Sequence, residues 1–505
     1  MTGMPVIAEP YLCPNRGILC YNTPVKYKHA LFLNPYIESS NTSVMKLFPP
    51  TGLEYVASSA EGLVGKLTLI DLRYEKELSD TAKLLDFISK EIDIVCVTIG
   101  WDRQFKEICE LISRIPANIP LVVGGYKATE MADELFNICP NLNIIVRGEG
   151  EETIREIFKG LPLKDILGIS YVENGVVVHN KNRPLLDIED MPAPHRALRN
   201  NKYSLAVNGI EMMNLTFDSI LSARGCPHNC KFCTFNLNPL GQKRTYTARS
   251  VDSVIKELEG ITAKIVLFSD DNLFADAGRA ERICDEIIKR KIKKRFIAQA
   301  RIELFKHPRL LGKMVKAGFK ALLVGIESPH DRILTQLNKG FDSATVSEAF
   351  KVLTKYPIFY NGYFIYGNIG ESKEEMLYIP EFAKEIGLDF ISCNKLRIEK
   401  YSPLRELAEK TPGYHITEKG ELYSDTYDYP ALKKIGRTIK FSFYTPQRYF
   451  KIFLKGAFKN RVLTFGEVIS FICVMPRLLA GVFAREIKRG RLMDSLKRTF
   501  VVNRA

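Results

Sequence analysis

The chain has 505 residues, with 72 Lys and Arg against 58 Asp and Glu. An apolar share of 46% and a charged share of 26% exclude a disordered polyelectrolyte and a collagenous repeat, and leave a globular protein long enough for two or three domains. The net charge of +14 sits at one end: residues 431–505 hold 17 basic and 3 acidic side chains, so residues 1–430 are neutral and nucleic acid is an unlikely partner.

The 11 cysteines are odd in number and scattered, which suits a reducing compartment better than a disulfide framework. Residues 1–27, read as an N-terminal extension, carry Pro, Cys and Asn where a secretory leader would be apolar. The expected location is cytoplasmic.

From 28 to 160, short β-branched runs alternate with amphipathic stretches. Strands are predicted at 30–33, 66–71, 94–99, 121–124 and 143–146, and helices at 52–63, 80–90, 104–114, 127–139 and 152–159. Five βα units of this period predict an α/β, doubly wound, Rossmann-like sheet whose ligands bind at the carboxyl ends of the strands. Those ends carry Thr98, Gly100 and Trp101, then Gly124 and Gly125, then Gly148 and Glu149. Glycine there lets a backbone approach a ligand without a β-carbon in the way; each is equally readable as an ordinary βα turn. No G-x-G-x-x-G follows the first strand, so a nicotinamide site has no support.

Residues 161–203 read as a linker. Residues 168–179 suggest a hairpin turning at Asn174-Gly175, and Pro184, Pro192 and Pro194 suit an extended connector.

The next segment, 204–412, opens on Cys226-Pro-His-Asn-Cys230-Lys-Phe232-Cys233, a C-x3-C-x2-C spacing. A [4Fe–4S] cluster normally takes four thiolates, so a three-cysteine loop would leave one iron open to a ligand. Zinc is the alternative, but a structural site wants four ligands in separated pairs, and His228 stands on the wrong side of a tight loop to complete a tetrahedron.

Strands at 218–223, 264–268, 295–300, 321–325, 359–366 and 390–396 predict a partial (β/α)6 TIM-type barrel with its site at the carboxyl ends. Polar groups recur at those ends: Ser269, Asp270 and Asp271, then Gln299 and Arg301, then Gly325 and Glu327, then Gly367 and Glu371. Taken singly, each reads as readily as a solvated loop charge.

Residues 413–505 form a basic, helical, aromatic-rich C-terminal region. It mixes Phe441, Phe443, Tyr444, Tyr449, Phe450, Phe453 and Phe458 with lysine, and Glu467, Pro476 and Arg477 interrupt the apolar run after 461. A membrane span tolerates such residues poorly. The expectation is a cap over the barrel mouth, with peripheral contact on an anionic bilayer as the alternative.

The cysteine loop resembles that of the radical S-adenosylmethionine (SAM) enzymes. Val122-Val-Gly-Gly125 and Arg147-Gly-Glu-Gly-Glu151 ahead of it, with Phe48-Pro-Pro-Thr-Gly-Leu53, resemble the cobalamin-binding domain of one class of that family. The resemblance implies that Cys226, Cys230 and Cys233 ligate a [4Fe–4S] cluster. It implies a SAM site from Phe232, Ser269, Asp270, Arg301, Gly325, Glu327 and Gly367, and a cobalamin site from Thr98, Gly100, Trp101, Gly124, Gly125, Gly148 and Glu149. No histidine lies between His29 and His179, so a histidine lower ligand from this domain is not expected. The implied activity is C-methylation of a hydrophobic small-molecule or lipid-like substrate, fed by a low-potential donor such as ferredoxin or flavodoxin. Non-methylating cyclisation, oxidation or carbon–carbon coupling is the alternative enzyme reading, and a non-catalytic corrinoid or cluster sensor the alternative outside enzymes.

Overall fold

The computed structural model describes residues 10–12, 19–21, 25–37, 47–100, 104–189, 191–207, 210–233, 238–470 and 472–473. Trp101, an expected corrin neighbour, lies outside the described residues. Two short strands, β1 (Pro10–Leu12) and β2 (Leu19–Tyr21), pair antiparallel at the start.

The first domain is built on β3 (His29–Asn34), β4 (Lys66–Asp71), β5 (Ile94–Thr98), β6 (Leu121–Gly124) and β7 (Ile144–Val146), parallel in the order β4-β3-β5-β6-β7. Alternate strand residues serve opposite faces, as the pleat requires. Ala30, Phe32, Ile94 and Cys96 pack under α1 (Thr51–Ser59) and α6 (Glu151–Phe158). Leu31, Leu33, Val95 and Val97 pack under α2 (Thr81–Glu91), α3 (Phe105–Ile112), α4 (Tyr126–Glu130) and α5 (Leu135–Ile138). Both faces are covered, so the central strands β5, β6 and β7 are near-continuous apolar runs. Asp80 starts α2 by accepting from the amides of Ala82 and Lys83.

Two expectations change here. The helix expected over 127–139 is two short ones, α4 and α5. The hairpin β8 (Ile169–Glu173) and β9 (Val176–His179) is part of the sheet, because β8 pairs antiparallel with β7. It covers an edge that would otherwise expose unpaired backbone groups.

The second sheet has the order β10-β11-β14-β15-β16-β17-β18. Here β10 (Tyr203–Val207) is an antiparallel edge strand on β11 (Ile210–Ile220), starting at the end of the expected linker. Parallel to β11 run β14 (Ile265–Phe268), β15 (Arg295–Ala300), β16 (Phe319–Glu327), β17 (Phe359–Tyr366) and β18 (Phe390–Lys395). A two-residue ladder, β12 (Ala223–Arg224) with β13 (Thr247–Ala248), closes the base of the cysteine loop. The covering helices are α7 (Val251–Gly260), α8 (Ala277–Lys289), α9 (Pro308–Ala317), α10 (Asp331–Gln336), α11 (Ser343–Leu353) and α12 (Lys373–Glu385). This is the expected open half-barrel.

Beyond it lie α13 (Leu404–Lys410), the pair β19 (Tyr414–Ile416) and β20 (Leu422–Ser424), then α14 (Tyr429–Phe443) and α15 (Pro446–Leu454). Helix α14 buries Leu432, Ile435, Ile439 and Phe443 in the barrel core. The Tyr444 hydroxyl accepts from Ile391 N at 3.0 Å and donates to Ile391 O at 2.8 Å, sealing the outer edge of β18.

The following segment does not cap the barrel mouth. Lys455 Nζ lies 2.6 Å from Asp389 just before β18, Lys320 of β16 donates to Asn460 O at 3.0 Å, and Arg295 of β15 pairs with Glu467 at 2.9 Å. All three anchors stand at the amino ends of strands. The segment therefore crosses the closed end of the barrel, opposite the cysteine loop. Among the described residues, no helix is long and apolar enough to cross a membrane.

Candidate active site

The cysteine loop leaves the half-barrel at the carboxyl end of β11, through β12. Gly225 begins it at φ +81°, and a β-carbon there would collide with Thr245 O on the returning strand. The Gly225 amide donates to Asp271 Oδ2 at 2.7 Å. Asp270 is fully buried and accepts from Ser222 N at 2.6 Å and from the Ser222 hydroxyl. Burial pushes its carboxyl up to about 6. Asp270 thus fixes the strand end under the loop and presents nothing to a ligand. The sequence-based assignment to SAM does not fit this placement.

The turn after α10 clamps the loop from above. Lys231 N donates to Leu337 O at 3.0 Å, and Asn338 Nδ2 to Asn229 O at 2.8 Å. Ser402 Oγ donates to Lys231 O at 2.6 Å. Cys230 is buried, and Cys226 and Cys233 are half-buried. Burial raises the Cys226 thiol, and burial followed by the Arg301 charge lowers the His228 imidazole. Three thiols on a loop fixed by this many bonds match a soft iron–sulfur group. Among the described residues, no three His, Cys, Asp or Glu side chains gather tightly enough to hold a single metal ion.

Next to Cys230 stands a compact charged cluster. Strand β16 bulges between Gly325 and Glu327, and Glu327 takes φ +77°. Bulges re-aim side chains beside functional sites, and a non-glycine residue in this region is strained. The bulge turns Glu327 onto Lys339 Nζ at 3.2 Å, with both side chains buried. A β-carbon on Gly325 would sit 2.7 Å from Glu327 Oε1, so a larger residue there would push the Glu327 carboxylate aside. Lys339 Nζ lies 5.7 Å from the Phe232 ring and 5.3 Å from that of Phe341. Phe232 packs against the buried cluster that includes Ile333, Leu337 and Leu396 and so anchors the loop. Lys339, Phe341 and Glu303 were missed in the sequence because they follow a helix or a strand end without any motif. Ser269 is half-buried and spends its amide on Ile220 O at 2.8 Å. Gly367, at φ +73°, abuts Leu432 of α14, so its lack of a side chain serves packing as well as the turn.

On the first domain, Thr98, Gly124 and Val146 are neighbours in register across β5, β6 and β7. Gly125, at φ +107°, passes 2.6 Å from Ile99 O measured from the β-carbon it lacks, whereas a β-carbon on Gly100 would meet nothing within 4 Å. Gly148 N donates to Thr129 Oγ1 at 3.0 Å. The result is a small-residue ledge at the carboxyl ends, which fits a broad flat ligand. Glu149 does not face that ledge freely: Oε2 accepts from Leu186 N at 2.9 Å, and Oε1 lies 3.4 Å from both Arg224 and Arg244. It ties the first domain to the cysteine loop.

A cavity of about 170 Å³ beside the loop is lined by Cys230, Phe232, Cys233, Lys243 and Glu399. A second, narrower one is lined by Tyr126, Glu130, Asn238, Glu399 and Tyr401. Glu399 lines both, paired with Arg397 at 2.9 Å. Burial, and then the Glu399 charge, raise the Tyr126 phenol. Farther back, Arg199 bridges Glu54 of α1 and Asp218 of β11, and Arg196 bridges Asp218 and Glu257, so the domains meet in a buried ionic seam.

Comparison with known proteins agrees with this geometry. Residues 220–383 match the radical SAM superfamily, and residues 41–158 match the B12 binding domain. An uncharacterised methyltransferase of Pyrococcus horikoshii is 30% identical over 353 residues, covering 68% of this chain and 74% of its own. A hopanoid C-3 methylase of Methylococcus capsulatus is 26% identical, covering 57% and 55%. An anaerobic magnesium-protoporphyrin IX monomethyl ester cyclase of Cereibacter sphaeroides is 24% identical, covering 68% and 58%. The fold matches that of the radical SAM methyltransferase TsrM from Kitasatospora setae, solved with cobalamin and a [4Fe–4S] cluster. The TM-score is 0.65 at 15% identity, covering 83% of this chain and 90% of that one.

Proposed function

Because the chain belongs to the B12-binding radical SAM enzymes, we propose that it methylates an unactivated carbon of a small-molecule or lipid-like substrate held in the seam at Glu399. Its cofactors are a [4Fe–4S] cluster, SAM and cobalamin. When bound, they supply a 5′-deoxyadenosyl radical and a transferable methyl group; the protein supplies position and shelter.

Cys226, Cys230 and Cys233 hold the iron. We place SAM against Phe232, Gly325, Glu327 and Lys339, with Ser269 and Gly367 at its margin. The buried Glu327–Lys339 pair carries both signs of charge that an amino acid moiety needs to meet. The corrin rests on the ledge of Thr98, Gly100, Gly124, Gly125 and Gly148. The domains bring both carboxyl ends to one seam, with Tyr126 and Glu130 on one side and Glu399 and Tyr401 on the other. The observation carrying the proposal is that Glu399 lines the cavity at the cysteine loop and the cavity at Tyr126.

The test is anaerobic reconstitution, followed by mass analysis of products. Methylation adds one CH2 and yields S-adenosylhomocysteine beside 5′-deoxyadenosine; cyclisation or coupling yields no homocysteine product. Cys230→Ala should abolish both, and persistent 5′-deoxyadenosine would refute the cluster assignment.

We further propose a cytoplasmic enzyme fed by a low-potential one-electron donor such as ferredoxin or flavodoxin. Peripheral contact with an anionic bilayer is supported by Phe441, Phe450, Phe458 and Phe465, exposed by 63–81% among Lys440, Lys451 and Lys459.

A further inference from the structure

The resemblance to the radical SAM enzymes implies Arg301 in the SAM site, where the fork of a guanidinium can pair with a carboxylate. The structure has already committed that fork. A guanidinium carries five N–H donors. Arg301 Nε lies 3.2 Å from both oxygens of Glu303, and Nη2 donates to Glu303 Oε1 at 2.8 Å and to Lys339 O at 2.5 Å. Nη1 donates to Cys230 Sγ at 3.4 Å. One Nη1 hydrogen is left, too few to grip a second carboxylate with two parallel bonds. The plane is held from one side as well, with the guanidinium carbon 5.3 Å from the Phe341 ring. Arg301 is 9% exposed, and so is Cys230.

We propose that Arg301 is a positioning residue for the iron–sulfur cluster. Its charge and hydrogen bond on the Cys230 thiolate stabilise the electron-rich reduced state and set the potential at which the cluster accepts an electron. The inference rests on the reading of Cys226, Cys230 and Cys233 as cluster ligands.

The physical argument is one of sign. Reduction adds negative charge to a group whose thiolates already carry it. Hydrogen bonds to the sulfurs and nearby positive charge lower the cost of that added charge and raise the potential. Burial strengthens the effect, because water cannot screen it. Glu303 opposes it by neutralising the guanidinium, while fixing its direction through the Nε and Nη2 bonds. Lys339 O completes that aim, and Lys339 Nζ turns to Glu327 on the far side. Arg301 and Glu303 therefore act as one adjustable pair.

The experiment is a redox titration of the full chain, reconstituted with iron and sulfide and followed by electron paramagnetic resonance of the reduced cluster, without SAM. Arg301→Gln should move the midpoint to a lower potential, and Arg301→Lys should move it less far. Glu303→Gln, which leaves the guanidinium uncompensated, should move it the other way. Iron and sulfide content per chain controls for loss of the site. Should Arg301→Gln lose the cluster, Glu303→Gln alone decides.

Unchanged midpoints in cluster-loaded variants would overturn the proposal. So would an Arg301→Gln variant whose SAM-free midpoint is normal while its SAM affinity, by calorimetry, falls tenfold or more. That result would restore the carboxylate clamp. A wild-type chain that assembles no cluster would instead refute the reading on which the proposal rests.

Discussion

Arg224, one residue before the glycine that opens the cysteine loop, donates its Nη2 to Glu151, the first residue of α6 in the other domain. Its Nη1 lies 3.4 Å from Glu149. The acidic pair of Arg147-Gly-Glu-Gly-Glu151 thus reaches across the domain seam to the base of the cluster loop. Burial would raise the Glu151 carboxyl, but Arg224 outweighs it and holds the group below its usual range.

Breaking this pair from one side leaves a buried charge alone. Arg224→Ala should lower global stability by about 3–5 kcal/mol, read by chemical denaturation. Replacing Arg224 and Glu151 together with Met and Leu should recover most of that loss. If the double variant is no more stable than the single one, the pair is not the source of the cost.

Gly225 is conformationally required, because its φ of +81° and its contact with Thr245 O leave no room for a side chain. Gly225→Ala should cost at least about 1–2 kcal/mol from backbone strain alone. It should also reduce iron and sulfide retained after reconstitution to a small fraction. Normal iron content in a folded Gly225→Ala variant would show that the loop base tolerates a different path.

Glu371 supplies a pH signature. Burial lifts its carboxyl from about 4.5 to about 7, although Asn368 donates to it from N at 2.9 Å and from Nδ2 at 3.0 Å. A folded-state value above the unfolded one means the folded chain holds the proton more tightly. Its stabilising contribution is complete below pH 4.5 and is lost as pH rises through 7. Glu371→Gln keeps an acceptor for Asn368 without the ionisation. Thermal melts from pH 4 to 8 should therefore show the wild type losing stability relative to the variant between pH 4.5 and 7. Parallel curves would remove Glu371 as the cause.

The aromatic and basic face under the barrel should bind vesicles of phosphatidylcholine and phosphatidylglycerol, and binding should weaken as salt screens the charges. Phe450→Glu with Phe458→Glu, both at exposed positions, should abolish co-flotation without changing the melting temperature. Retained flotation of that variant would place the contact elsewhere.

Much of this architecture was readable before any coordinates. The βα alternation and the C-x3-C-x2-C spacing are local signals, and both led to the right sheets and loop. What escaped was decided by distant partners. The 168–179 hairpin reads the same whether it is free or paired, and only the bare edge of β7 makes it part of the sheet. Asp270 and Glu149 look like ligand-facing acids at strand ends, yet Ser222 and the two arginines that occupy them lie tens of residues away. The C-terminal region reveals its charge in composition, but Lys455 and Glu467 find Asp389 and Arg295 only in the fold. That pairing puts residues 455–467 beneath the barrel instead of over its mouth.

The Tyr444 hydroxyl that seals β18 has a practical consequence. A half-barrel has a bare flank, and here one phenol covers part of it by taking both backbone groups of Ile391. A fragment trimmed after the last parallel strand would keep its cysteines but lose this plug, and its raw border would recruit other chains into precipitate. Minimal versions of this enzyme intended for crystallisation or spectroscopy should therefore extend through Tyr444.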